Sequence, residues 1–223
     1  MDTSAPAHGI IDISLPISSE MPIWPGDPRP ALTPVASLEA EGVQVSQLVL
    51  GTHTGTHLDA PRHFIPGGRT IDQLDLGTMV GVCRVVEVIS AADRISRADL
   101  QHVELHPGDR LLLKTRNSQR PVGRAFSRDF VALDPSGADY VCEGGVGLIG
   151  IDGPSIDAWD ASDFPSHKRL LGADILIVEN LVLRHIMPGL YGLIAVPLNL
   201  TGSEGCPVRA LLTPYQCFRS SLA

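Results

Sequence analysis

The 223 residues are enough for one domain with a well-buried core, and we predict a single domain over residues 1–223. Hydrophobic residues make up 43% of the chain and charged residues 19%, which is ordinary for a globular protein. The net charge is −8 and neither lysine nor arginine is clustered, so a nucleic-acid partner is disfavoured and none is predicted. No apolar run approaches the ~20 residues of a membrane span, and residues 1–8 lack the basic-then-apolar layout of a signal peptide.

The four cysteines are far apart in the sequence and form no CxxC pair, which excludes a zinc knuckle and a redox motif. We interpret them as reduced, mostly buried thiols. The protein is therefore expected to work in the cytoplasm, without a membrane or nucleic-acid partner.

Short apolar runs and alternating segments predict seven strands. In chain order they are residues 10–17, 43–50, 80–90, 110–115, 146–151, 174–178 and 193–200, the last being the final strand. Helical signals are fewer: a short helix over residues 96–103 with Ser96 as its cap, and one or two turns within residues 155–171 that end at Gly172. Because strands outnumber helices, the sequence predicts a mixed, strand-rich α/β fold.

Residues 21–28 (MPIWPGDP) lie between the first two predicted strands and contain three prolines. The prolines restrain this loop and leave Trp24 exposed within it. A rigid, exposed aromatic side chain favours contact with a ligand. Packing at the domain edge or at a dimer interface is the alternative interpretation of Trp24.

Residues 53–64 (HTGTHLDAPRHF) follow the second predicted strand. On an extended strand His53 and His57 lie about 13 Å apart, too far to share one ion at Zn–N distances of ~2 Å. A helix is disfavoured because the segment contains glycine and proline. We therefore predict a bent loop in which Gly55 turns the backbone, so that His53, His57 and Asp59 converge on one cation.

Two histidines and an aspartate around a glycine turn are typical of a metal site, whereas a single loop histidine is more often satisfied by water. Three protein ligands leave open positions for water, which is the arrangement of a catalytic site. Zinc is favoured only weakly, because the same donors suit manganese or iron. The pKa of water bound to such an ion falls toward neutrality, which makes a hydroxide nucleophile available at pH 7.

A second group of polar residues follows the fifth predicted strand. Asp152, Ser155 and Asp157 lie in the turn after it, and His167 and Glu179 come later in the chain. Each of them also has an ordinary structural interpretation as a helix cap, a surface histidine or a strand-end ion pair. Their spacing by itself leaves these alternatives open.

The full pattern over residues 53–64, HxGTHxDxPxHF, resembles the signature of the metal-dependent cyclase/hydrolase family. Similar features run along nearly the whole chain. They are WPGD at residues 24–27, residues 150–155, His167, Glu179 with the Asn-Leu that follows it, and residues 197–198 and 207–210. Within the family the chain is most similar to the bacterial kynurenine formamidases.

This resemblance implies a swivelling β/β/α-type fold, a homodimer or higher homo-oligomer, and a site with two divalent ions, zinc or manganese. The implied ligands of the first ion are His53, His57 and Asp59, and Asp59 bridges to the second ion. His167 is the implied ligand of the second ion alone. Glu179 is implied to contact both ions.

The resemblance also implies that His63 is a proton shuttle and that Trp24 packs against an aromatic ring of the substrate. The implied activity is hydrolysis of an aryl formamide, such as N-formylkynurenine, to an aryl amine and formate by metal-bound hydroxide. Three alternatives remain open: a hydrolase of a cyclic amide such as isatin, of a lactone or of a carbamate; a cyclase in aromatic natural-product biosynthesis; and a metal-binding protein without catalysis. The intact His63 argues against the last, because metal binding alone does not need it.

Three positions depart from the family pattern near the expected pocket. Residues 162–163 are Ser-Asp where many formamidases have Ser-Lys, Gly153 stands where threonine is common, and Asn180 stands where close formamidase relatives have glycine. None is an implied metal ligand, so the departures concern the substrate. If Asp163 faces the pocket, we expect it to repel a substrate carboxylate and an Asp163→Lys variant to act better on N-formylkynurenine.

Overall fold

The computed structural model of the chain describes residues 9–89, 93–119 and 125–221, with side chains described as far as residue 218. Residues 1–8 and the last position of the predicted strand over residues 80–90 lie outside these ranges. The strands are β1 (Ile11–Asp12), β2 (Ala31–Ala36), β3 (Val45–Val49), β4 (His57–Asp59), β5 (Val80–Glu87), β6 (Arg94–Ile95), β7 (Arg110–Lys114), β8 (Ala132–Leu133), β9 (Leu148–Ile151), β10 (Leu176–Glu179), β11 (Gly189–Ile194), β12 (Gly205–Pro207) and β13 (Leu211–Pro214).

The helices of the described residues are short. The α-helices are α1 (Leu38–Glu41), α2 (Leu76–Met79), α3 (Arg97–Leu100), α4 (Pro135–Glu143) and α5 (Pro165–Gly172), and 3-10 turns cover Pro61–His63, Ile71–Gln73, Arg116–Gln119 and Tyr215–Ser221. Across the described ranges, no helix combines the length and the apolar character needed to cross a membrane.

Nine strands form one mixed sheet in the order β1-β13-β11-β5-β7-β9-β10-β4-β12. The four central strands, β5, β7, β9 and β10, are parallel, and the strands on both flanks are antiparallel. Parallel neighbours need crossover connections, and the three crossovers between the central strands contain α3, α4 and α5. The predicted mixed, strand-rich α/β fold is confirmed.

Two hydrophobic cores lie on opposite faces of this sheet, because successive side chains of a strand point to opposite sides. The inner core contains Leu112 together with Ile13 and Leu58. Since Ile13 and Leu58 come from opposite flanks of the sheet, the sheet curls around the inner core. The helix-facing core contains Leu111 and Leu113, which pack with residues of α3, α4 and α5.

Several predicted elements differ from the structure. The strand predicted over residues 10–17 pairs in the sheet only over Ile11–Asp12, and the one predicted over residues 193–200 is Gly189–Ile194. The latter is not the final strand, because β12 and β13 follow it. It ends at Ile194, and beyond it Pro197, which has no N–H for a ladder hydrogen bond, forms only an isolated bridge with Val208. The longer elements β2 and α4 were not predicted, and neither were the short elements β6, β8, β12, β13, α1 and α2.

The short helix over residues 96–103 is confirmed with tighter bounds. It extends over Arg97–Leu100, and Ser96 caps it as predicted. The Asp99 carboxylate completes the cap by accepting a hydrogen bond from Ser96 N at 2.8 Å.

Candidate metal centre

β4 places two of the expected ligands on one face of the sheet. His57 and Asp59 are two residues apart on this strand and point to the same side, while Leu58 between them is buried in the inner core. The neighbouring strand β10 pairs Glu179 with His57 in antiparallel register. Because directly opposed side chains are about 5 Å apart at Cβ, this register brings the Glu179 carboxylate to His57.

His53 precedes β4 and is returned toward it by a turn at Gly55. Gly55 has a φ of 66°, a left-handed conformation that glycine adopts readily. The rings of His53 and His57 have centroids 5.0 Å apart, so the predicted glycine turn is confirmed. The prediction of a bent loop beyond this turn is wrong, because residues 57–59 form a strand. Pairing with β10 on one side and β12 on the other stabilises this strand, and only the tertiary structure supplies both partners.

The 3-10 turn over Pro61–His63 folds His63 back toward the other histidines. The His63 ring stacks on the His53 ring with centroids 4.0 Å apart and planes at 28°. Its centroid lies 5.9 Å from that of His167. Asp59, His63 and His167 also present ligand atoms close enough to one another for a single metal ion. The geometry therefore allows His63 to act either beside a metal or as a ligand.

α5 carries His167 in its first turn, and Asp157 fixes both the start of the helix and the orientation of the ring. The Asp157 carboxylate accepts hydrogen bonds from the backbone N–H groups of Ser166 and His167, each at 2.9 Å. It also lies 2.8 Å from His167 Nδ1. With Nδ1 engaged in this way, His167 Nε2 faces the carboxylates of Asp59 and Glu179.

Each of these two carboxylates lies between histidines. Asp59 Oδ1 is 2.8 Å from His53 Nδ1 and 3.4 Å from His57 Nε2, and Asp59 Oδ2 is 3.6 Å from His167 Nε2. Glu179 Oε2 is 3.5 Å from His57 Nε2, and Glu179 Oε1 is 3.2 Å from His167 Nε2. One oxygen of each carboxylate thus faces His57 and the other faces His167, which provides donors for two adjacent cation positions.

The spacing and burial of these atoms fit a divalent metal. Distances of 3.2 to 3.6 Å are close to the ~3.3 Å between ligands around tetrahedral zinc with bonds of ~2.0–2.1 Å. Asp59 is fully buried, and its Oδ2 has no hydrogen-bond partner within the described ranges. Such an oxygen is strongly unfavourable unless a cation lies beside it. Imidazole and carboxylate donors suit zinc, manganese or iron, so the cluster is compatible with a divalent metal.

The environment of the cluster shifts the pKa values of its members in different directions. Burial opposes the charge on Asp59, but the neighbouring imidazoles, His57 foremost, hold its pKa well below the usual range. Burial also disfavours a charged His167, yet its hydrogen bonds, first with Asp157 and then with the cluster carboxylates, raise its pKa well above the ordinary value. For His63 burial dominates and lowers the pKa to about 4, so its ring is neutral at pH 7. Asp59 is thus available as an anionic ligand and His63 as a base.

The four histidines of the cluster and Glu179 line a cavity of about 230 Å³ whose other walls are largely aromatic and proline side chains. Trp24 lines this cavity and packs against Phe126 and Trp159, with ring centroids 5.1 Å from each. The structure is therefore consistent with both interpretations of Trp24, packing and ligand contact, because its ring packs in an aromatic cluster and also lines the cavity. Phe64 and Phe164 line the cavity as well.

Asp163 does not face the cavity. Its side chain is 84% exposed and its carboxylate pairs with Lys168 in α5, and it does not belong to the cavity lining. The condition for repulsion of a substrate carboxylate by Asp163 is therefore not met, and no gain is expected from Asp163→Lys. Of the three departures from the family pattern, Asn180 is the one that lines the cavity, where its Nδ2 donates to Gly55 O at 3.0 Å.

Comparison with known proteins identifies the family. Residues 11–158, more than half of the chain, match the family described as "Putative cyclase". The chain belongs to the cyclase family. The kynurenine formamidase of Geobacillus thermodenitrificans is 40% identical over 203 residues, which cover 91% of this chain and 96% of that relative. The kynurenine formamidase of Salinibacter ruber is 37% identical, with coverage of 91% and 96%.

Solved structures of similar proteins show the same fold. A protein described as a potential metal-dependent hydrolase with cyclase activity superposes with a TM-score of 0.81 at 33% identity, covering 91% of this chain and 96% of its own. Isatin hydrolase A from Labrenzia aggregata has a TM-score of 0.81 at 21% identity, with coverage of 92% and 93%, and supports the fold alone. The resemblance to the cyclase family is confirmed.

In this cyclase-family chain, the sequence predicted neither the role of Asp157 nor any role for Glu204, whose Oε1 lies 3.6 Å from His53 Nε2. Asp157 gives no local capping signal, because the residue at the N-cap of α5 is Phe164 and Asp157 lies further upstream. Asp152 is not part of the cluster. It accepts hydrogen bonds from Thr115 N at 2.7 Å and Ser118 Oγ at 2.6 Å, and so joins the ends of β7 and β9.

Proposed function

We propose that this protein is a metal-dependent amidohydrolase that cleaves an aryl formamide, N-formylkynurenine or a similar compound, to an aryl amine and formate. The observation that carries the proposal is the convergence of Asp59 and Glu179 with three histidines that line one aromatic-walled cavity. The names of the 40% and 37% identical relatives support the choice of substrate class.

The distances within the cluster support the metal ligands that the family resemblance implies. His53, His57 and Asp59 would hold one ion, His167 would hold a second, and Asp59 and Glu179 would contact both. We propose two zinc ions, with manganese as the alternative, because both accept imidazole and carboxylate donors. The bound metal supplies Lewis acidity toward the formyl oxygen and a hydroxide nucleophile at neutral pH.

His63 moves the proton in the proposed reaction. Attack of water on the formyl carbon forms a C–O bond and releases a proton, which the neutral imidazole of His63 accepts. When the C–N bond breaks, His63 returns this proton to the leaving nitrogen, because an aniline anion is a poor leaving group. General acid–base help of this kind contributes about 10²- to 10⁴-fold. The products are the aryl amine and formic acid, which releases its proton to solvent to give formate, and His63 is regenerated as the neutral imidazole.

The test of the proposed function is an assay of the purified protein, with and without exhaustive chelation, on aryl formamides, isatin and a lactone. We expect one to two divalent ions per chain, and hydrolysis of an aryl formamide that chelation abolishes and zinc or manganese restores. Full activity without detectable metal, or a preference for isatin or the lactone, would contradict the proposal.

Trp24→Ala is expected to raise KM for an aryl formamide by about 2- to 12-fold and to change KM for a small aliphatic formamide little. Stacking on an aryl ring contributes roughly 0.5–1.5 kcal/mol beyond burial, and 1.4 kcal/mol is tenfold in affinity. Steady-state kinetics on a matched aryl and aliphatic pair measures this difference.

Phe130→Leu is the matched control for Trp24→Ala. Phe130 is buried and contacts Trp24, with ring centroids 6.4 Å apart, but it does not line the cavity. The Phe130→Leu variant therefore measures the effect of loosening the aromatic cluster without changing the cavity wall. An equal loss for aryl and aliphatic substrates in Trp24→Ala, or the same change in Phe130→Leu, would show that Trp24 is structural.

We propose a homodimer or higher homo-oligomer as the assembly. Within the described residues, β2 and β3 pair only with each other. Leu32 and Leu48 oppose each other in this hairpin, and their exposed fractions are 69% and 58%. An isolated two-stranded hairpin is marginally stable in water, and exposed apolar patches mark interaction surfaces. A second subunit on this hairpin accounts for both features.

Leu48→Glu is expected to shift the protein toward the monomer, because it places a charge on the proposed contact surface. Light scattering is expected to show twice 23.8 kDa, or 47.6 kDa, for the wild-type dimer. Ile89→Glu makes the same change at a residue that is 92% exposed outside the hairpin, and it should leave the mass unchanged. A monomeric wild type, or an unchanged mass in Leu48→Glu, would argue against this assembly.

We propose the cytoplasm as the compartment. The four cysteines, Cys83, Cys142, Cys206 and Cys217, are all free thiols, and Cys83 and Cys206 are buried. Unpaired cysteines are typical of proteins in reducing compartments.

A further inference from the structure

In two of the three proposed histidine ligands, the ring nitrogen that points away from the cluster has a hydrogen-bond partner in the protein. His57 Nδ1 lies 2.8 Å from Gly55 O, and His167 Nδ1 lies 2.8 Å from Asp157 Oδ2. Both rings therefore present Nε2 to the carboxylates. Such outer hydrogen bonds fix the tautomer and orientation of metal-binding histidines.

His53 has the opposite orientation. Its Nδ1 faces Asp59 Oδ1 at 2.8 Å, so Nε2 points out of the cluster. His53 Nε2 is buried and has no hydrogen-bond partner in the described part of the chain. The carboxylate nearest to it is that of Glu204, with Oε1 3.6 Å away. By analogy with the other two rings, this outward nitrogen needs an acceptor.

Glu204 is held in position to be that acceptor. Its Oε1 accepts a hydrogen bond of 2.7 Å from Thr52 Oγ1, and Thr52 directly precedes His53. The Glu204 side chain is 39% exposed, so it has room to move the short distance from 3.6 Å to a hydrogen bond of about 2.7–3.2 Å.

The His53 ring, in contrast, is confined on two sides. A Cβ at Gly205 would lie 2.6 Å from His53 Cε1, so the ring packs directly on the backbone there. The stacked His63 ring lies 4.0 Å away between centroids. Because the ring is confined, the edge that carries Nε2 remains directed at Glu204.

We infer that Glu204, held by Thr52, is the positioning residue of His53, and that His53 presents Nδ1 to the metal whereas His57 and His167 present Nε2. This inference rests on the proposed metal-binding function. It assigns Glu204 a role through His53 and not a contact with metal or substrate.

Zinc affinity of the intact protein tests the role of Glu204 without an activity assay. Competition with a chromophoric chelator is expected to show zinc binding about 10- to 100-fold weaker in Glu204→Leu, the usual effect of losing such a partner. Glu204→Gln should retain most of the affinity, since its amide oxygen still accepts a hydrogen bond. Glu104→Leu removes the same charge from a side chain that is 82% exposed and should bind zinc as the wild type does. Thermal unfolding of the metal-free variants checks that each is folded.

Long-range ¹H–¹⁵N spectra of the zinc-loaded wild type test the assignment of the nitrogens. The expected result is metal-bound Nδ1 and protonated Nε2 for His53, with the reverse for His57. Zinc on His53 Nε2, or equal affinity in wild type and Glu204→Leu, overturns the inference and leaves the proposed hydrolase intact. A wild type that binds no divalent metal overturns both.

Discussion

Asp59→Ala is expected to lose its bound divalent metal and to reduce kcat/KM for an aryl formamide by about three orders of magnitude or more. Asp59 is fully buried, with Oδ1 toward His53 and His57 and Oδ2 toward His167. Its loss therefore removes a donor from both proposed metal positions. Catalytic metals contribute several kcal/mol of transition-state stabilisation, and each 1.4 kcal/mol is tenfold in rate. Elemental analysis and steady-state kinetics on the same preparation measure the two losses together.

Asp174→Ala is the matched control. Its carboxylate is 65% exposed and pairs with Arg69, so this variant should keep both metal and activity. Circular dichroism of Asp59→Ala shows whether the fold survives the loss of the buried acid. A folded Asp59→Ala that retains a full complement of metal would show that Asp59 is not a ligand and would remove the basis of the proposed bridge.

His63→Ala is expected to keep most of its metal while kcat falls by about two orders of magnitude or more, the usual contribution of a general acid–base group. The ring lies beside the cluster, stacked on His53, and burial keeps it neutral with a pKa of about 4. A group of this kind can take and return a proton without holding the metal. Metal content and single-turnover rates separate these two functions.

The structure also allows His63 to be a metal ligand, since Asp59, His63 and His167 can together hold one ion. Loss of metal in proportion to activity in His63→Ala would assign His63 to the ligands and refute the proton shuttle. Added imidazole should partly restore kcat if His63 is the shuttle. His106→Ala, which removes an exposed histidine paired with Glu104, is the control and should change neither quantity.

Local sequence signals predicted an element correctly where the residues that stabilise the element lie within one short segment. Ser96 and Asp99 form a capping box within four residues, and the helix they start was predicted. The Asp134-Pro135 pair, with Asp134 accepting from Gly137 N, is an equally local signal for α4 that was overlooked. Short edge strands gave no such signal. β12 is three residues long and exists through its pairing with β4.

The sequence by itself determined which donor groups are present and that they cluster. His53, His57, Asp59 and His63 lie within one short segment, and a single glycine turn at Gly55 is enough to bring the first two together. The same segment also carried the resemblance to the cyclase family, and the family match confirms it.

The tertiary structure decided which groups from elsewhere in the chain complete the centre. Glu179 faces His57 because β10 and β4 pair in one register, and a shift of one residue would turn Glu179 to the other face of the sheet. Glu204 reaches His53 from a segment that is distant in the sequence, and Asp157 reaches His167 because the loop between β9 and α5 folds back on the helix. Such contacts follow from the packing of the whole curled sheet and its helices, so no local stretch of sequence contains the information that sets them.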